Sequence, residues 1–240
     1  MTMRWLFFPL FCVATSLAVA ATNELSKAES EGRQLAQRLR ELRPAESSSV
    51  TGVLKIFRPR IKPVFVPVEF ITTVTATNWQ TEYFARGTNA ETTATLTIIH
   101  ADQQPTQYRL ENSTFAGGAE SMTPFAGSDF WLADLGLEFL HWPGQRLVKK
   151  EIKRGEACDV LESTNPSPHA NGYSRILAWV DQDSGGIVQA EAYDARGKLL
   201  KEFEPKGVTK VRGQWQVDEM LILNSQTKAR TRLEFHFDAK

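Results

Sequence analysis

The sequence predicts a mainly β protein: one long, strongly curved antiparallel sheet, with an N-terminal helix and one short helix laid across a single face. Three observations carry this. Apolar residues recur with a period of two through most of the chain, turn signals separate those runs at short intervals, and helical spacing is confined to two places. The chain has 240 residues, 42% of them hydrophobic, which is enough for one substantial core and one domain. Lysine and arginine balance aspartate and glutamate, 28 against 28. A chain with no net charge has no overall field to recruit nucleic acid or anionic lipid head groups.

The elements follow in order. Met1 to Arg4 form a short cationic start, and Trp5 to Val19 are almost wholly apolar. Ala18-Val19-Ala20 then supplies the small residues that signal peptidase reads. This predicts a cleaved signal peptide over residues 1–20, cleavage before Ala21, and one domain over 21–240. The apolar run is shorter than the ~20 residues of a spanning helix. Of the two cysteines, Cys12 lies inside the signal, preceded by Pro9, Leu10 and Phe11, which do not suit lipidation. Cys158 is then alone, beside Val160 and Leu161 in a strand-like stretch, and reads as a small buried hydrophobe.

From Asn23 to Arg43, Leu25, Ala28, Leu35, Leu39 and Leu42 recur at helical spacing until Pro44 stops the pattern. The period then changes to two: Leu54 and Ile56, Trp79 and Tyr83, Tyr108 and Leu110, and most cleanly Leu233, Phe235 and Phe237 opposite Arg232, Glu234 and His236. Such alternation marks antiparallel strands with one buried and one wet face. Turns are predicted at Asp102-Gln103-Gln104-Pro105, Asp183-Ser184-Gly185-Gly186, Asp194-Ala195-Arg196-Gly197 and Asn224-Ser225-Gln226-Thr227. Pro59, Pro63 and Pro67 make the stretch before Phe70 an edge or a loop. The second helix is predicted from Ser128, as N-cap, through Asp129 to Leu135, ending at Gly136.

Signals for chemistry are few. The four histidines, His100, His141, His169 and His236, lie far apart in sequence and none has a partner at metal-ligand spacing. No nucleophile elbow or phosphate-cradling glycine loop is present. Asp129 reads as a helix cap and Asp134 as a solvated surface acid. Lys149, Lys150, Lys153 and Arg154 alternate with Glu151 and Glu156 and read as a wet strand face. The expectation is a protein that is not an enzyme and uses no cofactor and no metal. The apolar inventory stands out instead, with 14 Phe and 6 Trp. A single curved sheet covered by two helical pieces leaves a groove or cavity, and walls of Phe, Trp, Leu and Val suit a hydrocarbon chain at ~0.8 kcal/mol per buried CH₂.

Several short blocks together resemble one family. They are Gly127-Ser128-Asp129-Phe130 with Asp134-Leu135, Trp142-Pro143, Arg154-Gly155 with Cys158-Val160-Leu161, Tyr173 with Trp179-Val180-Asp181, Tyr193-Asp194 with Gly197-Lys198, Gly213 with Trp215 and Met220, and Thr231 with Leu233. This set is similar to the outer-membrane lipoprotein-sorting protein family of LolA-like domains. The resemblance implies an unclosed antiparallel half-barrel of LolA/LolB-like fold with helices as a lid, a periplasmic location, and binding of the acyl chains of lipoproteins or of another lipid. The expected protein is a monomeric carrier with an inner-membrane transporter as a candidate partner and no nucleic-acid role. The alternative is a non-carrier envelope sensor or an accessory subunit of a lipid-exporting transporter. Residues expected to line the cavity or lid are Leu35, Leu39, Phe70, Trp79, Phe84, Leu96, Phe130, Trp131, Leu135 and Phe139.

Overall fold

In the computed structural model the chain is described over residues 15–87, 91–101, 104–110, 113–211 and 213–237, with side chains from residue 24 onward except at residue 214. The predicted signal peptide lies outside these residues up to residue 14, and so does the Asp102-Gln103 half of one predicted turn. Helix α1 spans Thr15–Arg40. Six strands follow: β1 Ser48–Phe57, β2 Val64–Val74, β3 Asn78–Arg86, β4 Thr92–Ala101, β5 Gln107–Leu110 and β6 Ser113–Phe115. After segment 116–143 come β7 Gly144–Lys153, β8 Glu156–Thr164, β9 Arg175–Asp181, β10 Ile187–Tyr193, β11 Leu199–Val211, β12 Gln214–Asn224 and β13 Arg230–His236.

All of these strands form one antiparallel sheet in the order β6-β5-β4-β3-β2-β1-β13-β12-β11-β10-β9-β8-β7. Two meanders, β1 to β6 and β7 to β13, are stitched together where Leu54 pairs with Leu233. The edges β6 and β7 never meet, so the sheet is unclosed, as the resemblance implied. At ~4.8 Å per strand the two edges stand roughly 60 Å apart along the sheet. Segment 116–143 joins those edges, and it does so by crossing the inner face. The topology alone therefore makes this segment a cover.

Strand faces follow the pleat. On β1, β2 and β4 the inward residues Leu54, Ile56, Val68, Phe70, Leu96 and Ile98 are buried. Proline placement obeys the ladder rule in a way the sequence reading did not anticipate. β2 is an interior strand, yet Pro67 lies in the part that pairs only with β1, because pairing with β3 starts at Val68. Pro59 and Pro63 lie in the β1–β2 turn. The β9–β10, β10–β11 and β12–β13 turns fall where predicted.

Helix α1 ends at Arg40, earlier than expected, and Leu42 beyond it is exposed. Its buried stripe is Gly32, Leu35, Ala36 and Leu39, at the i, i+3, i+4, i+7 spacing of an amphipathic helix. The stripe packs with Leu161, Ile176, Ala178 and Val180 of β8 and β9. Gly32 permits the close approach: a Cβ there would stand 2.5 Å from the Arg146 backbone of β7. Arg40 completes the docking by donating to the Leu140 carbonyl at 2.8 Å.

Candidate functional site

The inner face is covered in two halves. α1 with residues 138–142 covers β7 to β10, and residues 125–135 cover β1 to β5, β12 and β13. The predicted second helix is shorter than expected. Only α2, Leu132–Leu135, is α-helical, and Ser128 is extended. The Ser128 hydroxyl accepts from the Phe130 amide at 3.2 Å, so it shapes a tight turn and caps no helix. Left-handed residues at Ala126 and Leu137 bend the segment on either side. The result is a plug of short turns whose Phe125, Phe130 and Leu132 are buried against the sheet.

The plug is held by polar groups as well as by burial. Lys201, on the inner side of β11, has a side chain only 4% exposed. Its ammonium donates to the Asp129 carbonyl at 2.7 Å and to Asp134 Oδ2 at 3.3 Å, and sits 3.5 Å from the centre of the Trp131 ring. Trp131 also stacks on Tyr173, centroids 4.6 Å apart, and the same ammonium lies 5.4 Å from the Tyr173 ring. Asp134 also accepts from the Tyr173 hydroxyl and from the Trp131 amide, both at 2.8 Å. Asp129 accepts from the Thr231 hydroxyl at 2.8 Å, and its own amide donates back to that oxygen at 2.9 Å. Asp129 is therefore no helix cap and Asp134 no solvated surface acid, which corrects the expectation for both, and Asp134 also caps α2 through the Trp131 amide. They tie the plug to β11, β13 and Tyr173. Burial pushes the Lys201 ammonium down to about 8 against the opposing pull of Asp134 and Asp129. Burial raises the Tyr173 hydroxyl well above its usual range, helped by Asp134. A buried ion pair of this kind gains little net stability but costs much if half of it is removed.

A second polar cluster lies where the plug leaves the sheet. Thr106 Oγ1 stands 3.4 Å from His100 Nδ1 and 3.1 Å from His141 Nε2. Burial lowers both histidines to about 4, with His141 acting on His100 and Arg40 on His141 as the smaller causes. The fold thus unites two histidines that are distant in sequence, as neutral rings. No group of three or more potential metal ligands occurs among the described residues. Close by, Gly136 faces the Tyr108 ring so tightly that a Cβ would lie 2.3 Å from its hydroxyl oxygen. Cys158 is a free, buried thiol in β8, packed with Val160 and Trp179 on the outer side, and burial raises it above its ordinary value.

The residues expected at the cavity separate into groups. Phe70, Leu96 and Phe130 are buried in the half under residues 125–135, with Leu135 packed at its margin. Leu35, Leu39 and Phe139 are buried in the half under α1, with Trp131 at its margin. Trp79 is half-buried and stacks on His100 at 3.9 Å. Phe84 is the exception. It pairs across the ladder with Glu69 and Thr95, one residue out of phase with buried Ala85, so the strand's period turns it outward. Among the described residues, the space under the plug where a cavity or groove was expected is closed. The space between Leu54, Val68, Phe70, Tyr83, Phe125, Phe130, Leu135 and Leu233 has no room for a water molecule. The plug fills it. Lys201 was missed by sequence reading, although a cation at inward parity beside Phe203 was the available signal.

A family model described as "uncharacterized protein" matches residues 93–238, well over half of the chain. No curated protein matches the sequence. Three solved structures share the fold. A DUF1329 family protein from Desulfovibrio piger has a TM-score of 0.71 at 19% identity, over 87% of this chain and 91% of that one. An outer membrane lipoprotein-sorting protein domain, so described, from Vibrio parahaemolyticus has a TM-score of 0.69 at 17% identity, over 87% and 92%. A LolA superfamily protein from Nitrosomonas europaea has a TM-score of 0.60 at 15% identity, over 89% and 95%. The chain belongs to the family of that model, and its fold is the one that these three structures share.

Proposed function

We propose that this protein binds acyl chains of lipoproteins or other lipids on the inner face of its sheet, in the periplasm, with residues 116–142 as the lid. One observation carries the reading: the apolar inner face of an unclosed sheet is covered across half its width by a segment of short turns, fixed to the sheet through buried polar contacts. A permanent core has no need of a charged lysine, whose burial costs several kcal/mol before pairing offsets it. A cover that must leave and return fits such contacts, because water replaces them when the segment lifts. Lid displacement would expose Phe70, Leu96, Leu54 and Leu233, a surface suited to a hydrocarbon chain at ~0.8 kcal/mol per CH₂. The N-terminal leader read from sequence supports export, and the lipoprotein-sorting domain with the same fold supports a carrier role. We read the site as binding without catalysis, since its acids and histidines are engaged in holding the plug.

Titration with a fluorescent long-chain fatty acid tests this, together with mass spectrometry of lipid co-purified from the native host. Saturable binding that competes with unlabelled acyl ligand is expected. Folded protein that neither carries nor binds any acyl ligand would overturn the reading.

A further inference from the structure

Although the chain as a whole is neutral, its cations are unevenly placed. The β1–β2 turn runs Arg58-Pro59-Arg60-Ile61-Lys62-Pro63 without an acid. At the same end of the sheet, the β12–β13 turn brings Lys228, and β13 begins with Arg230 beside Phe57. Between the two turns lies a groove of about 440 Å³ on the outer side of the sheet, floored by Phe57 and Leu223 and walled by Arg58, Lys228 and Arg230. Glu202 is the one acid lining it, and it accepts from Ser225. None of Arg58, Arg60, Lys62, Lys228 and Arg230 has an acidic partner among the described residues. Ile61 and Phe65 stand exposed on the same hairpin, each at 59%.

We infer that this end of the sheet docks on an anionic bilayer surface, the cations meeting phosphoryl head groups while Ile61 and Phe65 enter the interface. Five cations without acidic partners on two adjoining turns make a local positive field that the neutral total conceals. Each cation near an anionic leaflet adds favourable energy, and the additions accumulate within a Debye length. An acidic protein surface would also attract the cations, but it would not account for bulky, exposed apolar side chains beside them on the same hairpin. Shallow insertion does. The surface lies on the opposite side of the sheet from the proposed acyl site, so docking stands whether or not an acyl chain binds. Arg58 connects the two regions, since its guanidinium donates to the Gly127 carbonyl of the plug.

Purified protein is sedimented with vesicles of phosphatidylcholine alone, and with vesicles in which phosphatidylglycerol makes up about one third of the lipid. Binding is expected only to the anionic vesicles, weakening as salt rises. Lys62→Glu and Lys228→Glu, both at exposed positions, should each weaken it roughly tenfold, and together on the order of a hundredfold. Lys210→Glu, exposed at the far end of the sheet, makes the same charge change and should leave binding intact. Equal binding to both vesicles, undiminished binding by the folded double variant, or loss with Lys210→Glu overturns the proposal. So does release by inorganic phosphate when chloride of equal ionic strength has no effect, which would assign the groove to free phosphate. Acyl-ligand titration without vesicles reads the inner face separately, so the two readings fail independently.

Discussion

At the scale of single residues, the polar groups under the plug behave unlike their sequence neighbours because the fold changes their solvent. His100 and His141 are the clearest case, each lowered to about 4 by burial from an unfolded value of 6.5. Between those values the unfolded chain binds protons that the folded chain excludes, so stability falls as pH drops from 6.5 towards 4 and is fully present above 6.5. Urea unfolding across that range should show this acid limb, and His100→Asn with His141→Gln should flatten it. A double variant with the same pH profile as the wild type would show that the pair does not titrate with folding. Neither the histidine pair nor the Lys201 cluster was legible in the sequence. Their partners lie 35 residues apart for Thr106 and His141, 67 for Lys201 and Asp134, and 102 for Asp129 and Thr231. Local spacing rules carry no information over such separations, so Asp129 and Asp134 looked like ordinary acids.

At the scale of elements, strands were more legible than helices, and the reason is physical. Alternation on β13 needs only the pleat, and Thr231 and Leu233 are buried as the pattern requires. Residues 128–135 offered an equally apolar pattern, but four residues of helix among tight turns bury the same side chains, so pattern alone could not fix the conformation. Phe84 shows the limit within strands, since one residue of phase decides inside from outside. The docking of α1 rests on a glycine that sequence reading passed over. In an exposed helix, Gly→Ala gains up to ~1 kcal/mol from propensity. At Gly32 the added methyl meets the Cα, N and carbonyl carbon of Arg146 at 2.5 to 2.7 Å, and strand backbone cannot yield as a side-chain tip does. Overpacking of this kind costs ~1–3 kcal/mol and outweighs the propensity gain. Gly32→Ala should therefore lower stability in urea by about 1 kcal/mol or more. A stabilised variant would show that α1 is not seated on β7.

At the scale of the whole molecule, the closed inner face and the proposed acyl site form one thermodynamic system. If a ligand binds only the form with the plug lifted, its apparent affinity is its intrinsic affinity multiplied by the small fraction of molecules in that form. Any change that weakens plug docking then raises affinity by the same factor, while lowering protection of the plug. Lys201→Met leaves Asp134 with fewer partners and removes the cation from the face of Trp131. Breaking one side of a buried pair costs ~3–5 kcal/mol, although the remaining bonds from Tyr173 and the Trp131 amide reduce that here. A plug loosened by ~1.4 kcal/mol should bind a fluorescent fatty acid about tenfold more tightly. Hydrogen exchange at residues 125–136 should rise in parallel, with the outer strands unchanged. Val160→Ala serves as the contrast: it thins the outer-side cluster with Cys158 and Trp179, costs ~0.5–3 kcal/mol globally, and touches nothing under the plug, so it has no reason to favour the lifted form selectively. Affinity that rises for Lys201→Met and stays level for Val160→Ala would mark the plug as the gate. Equal affinity in both, with plug exchange raised only in Lys201→Met, would mean that the ligand does not need the face beneath it.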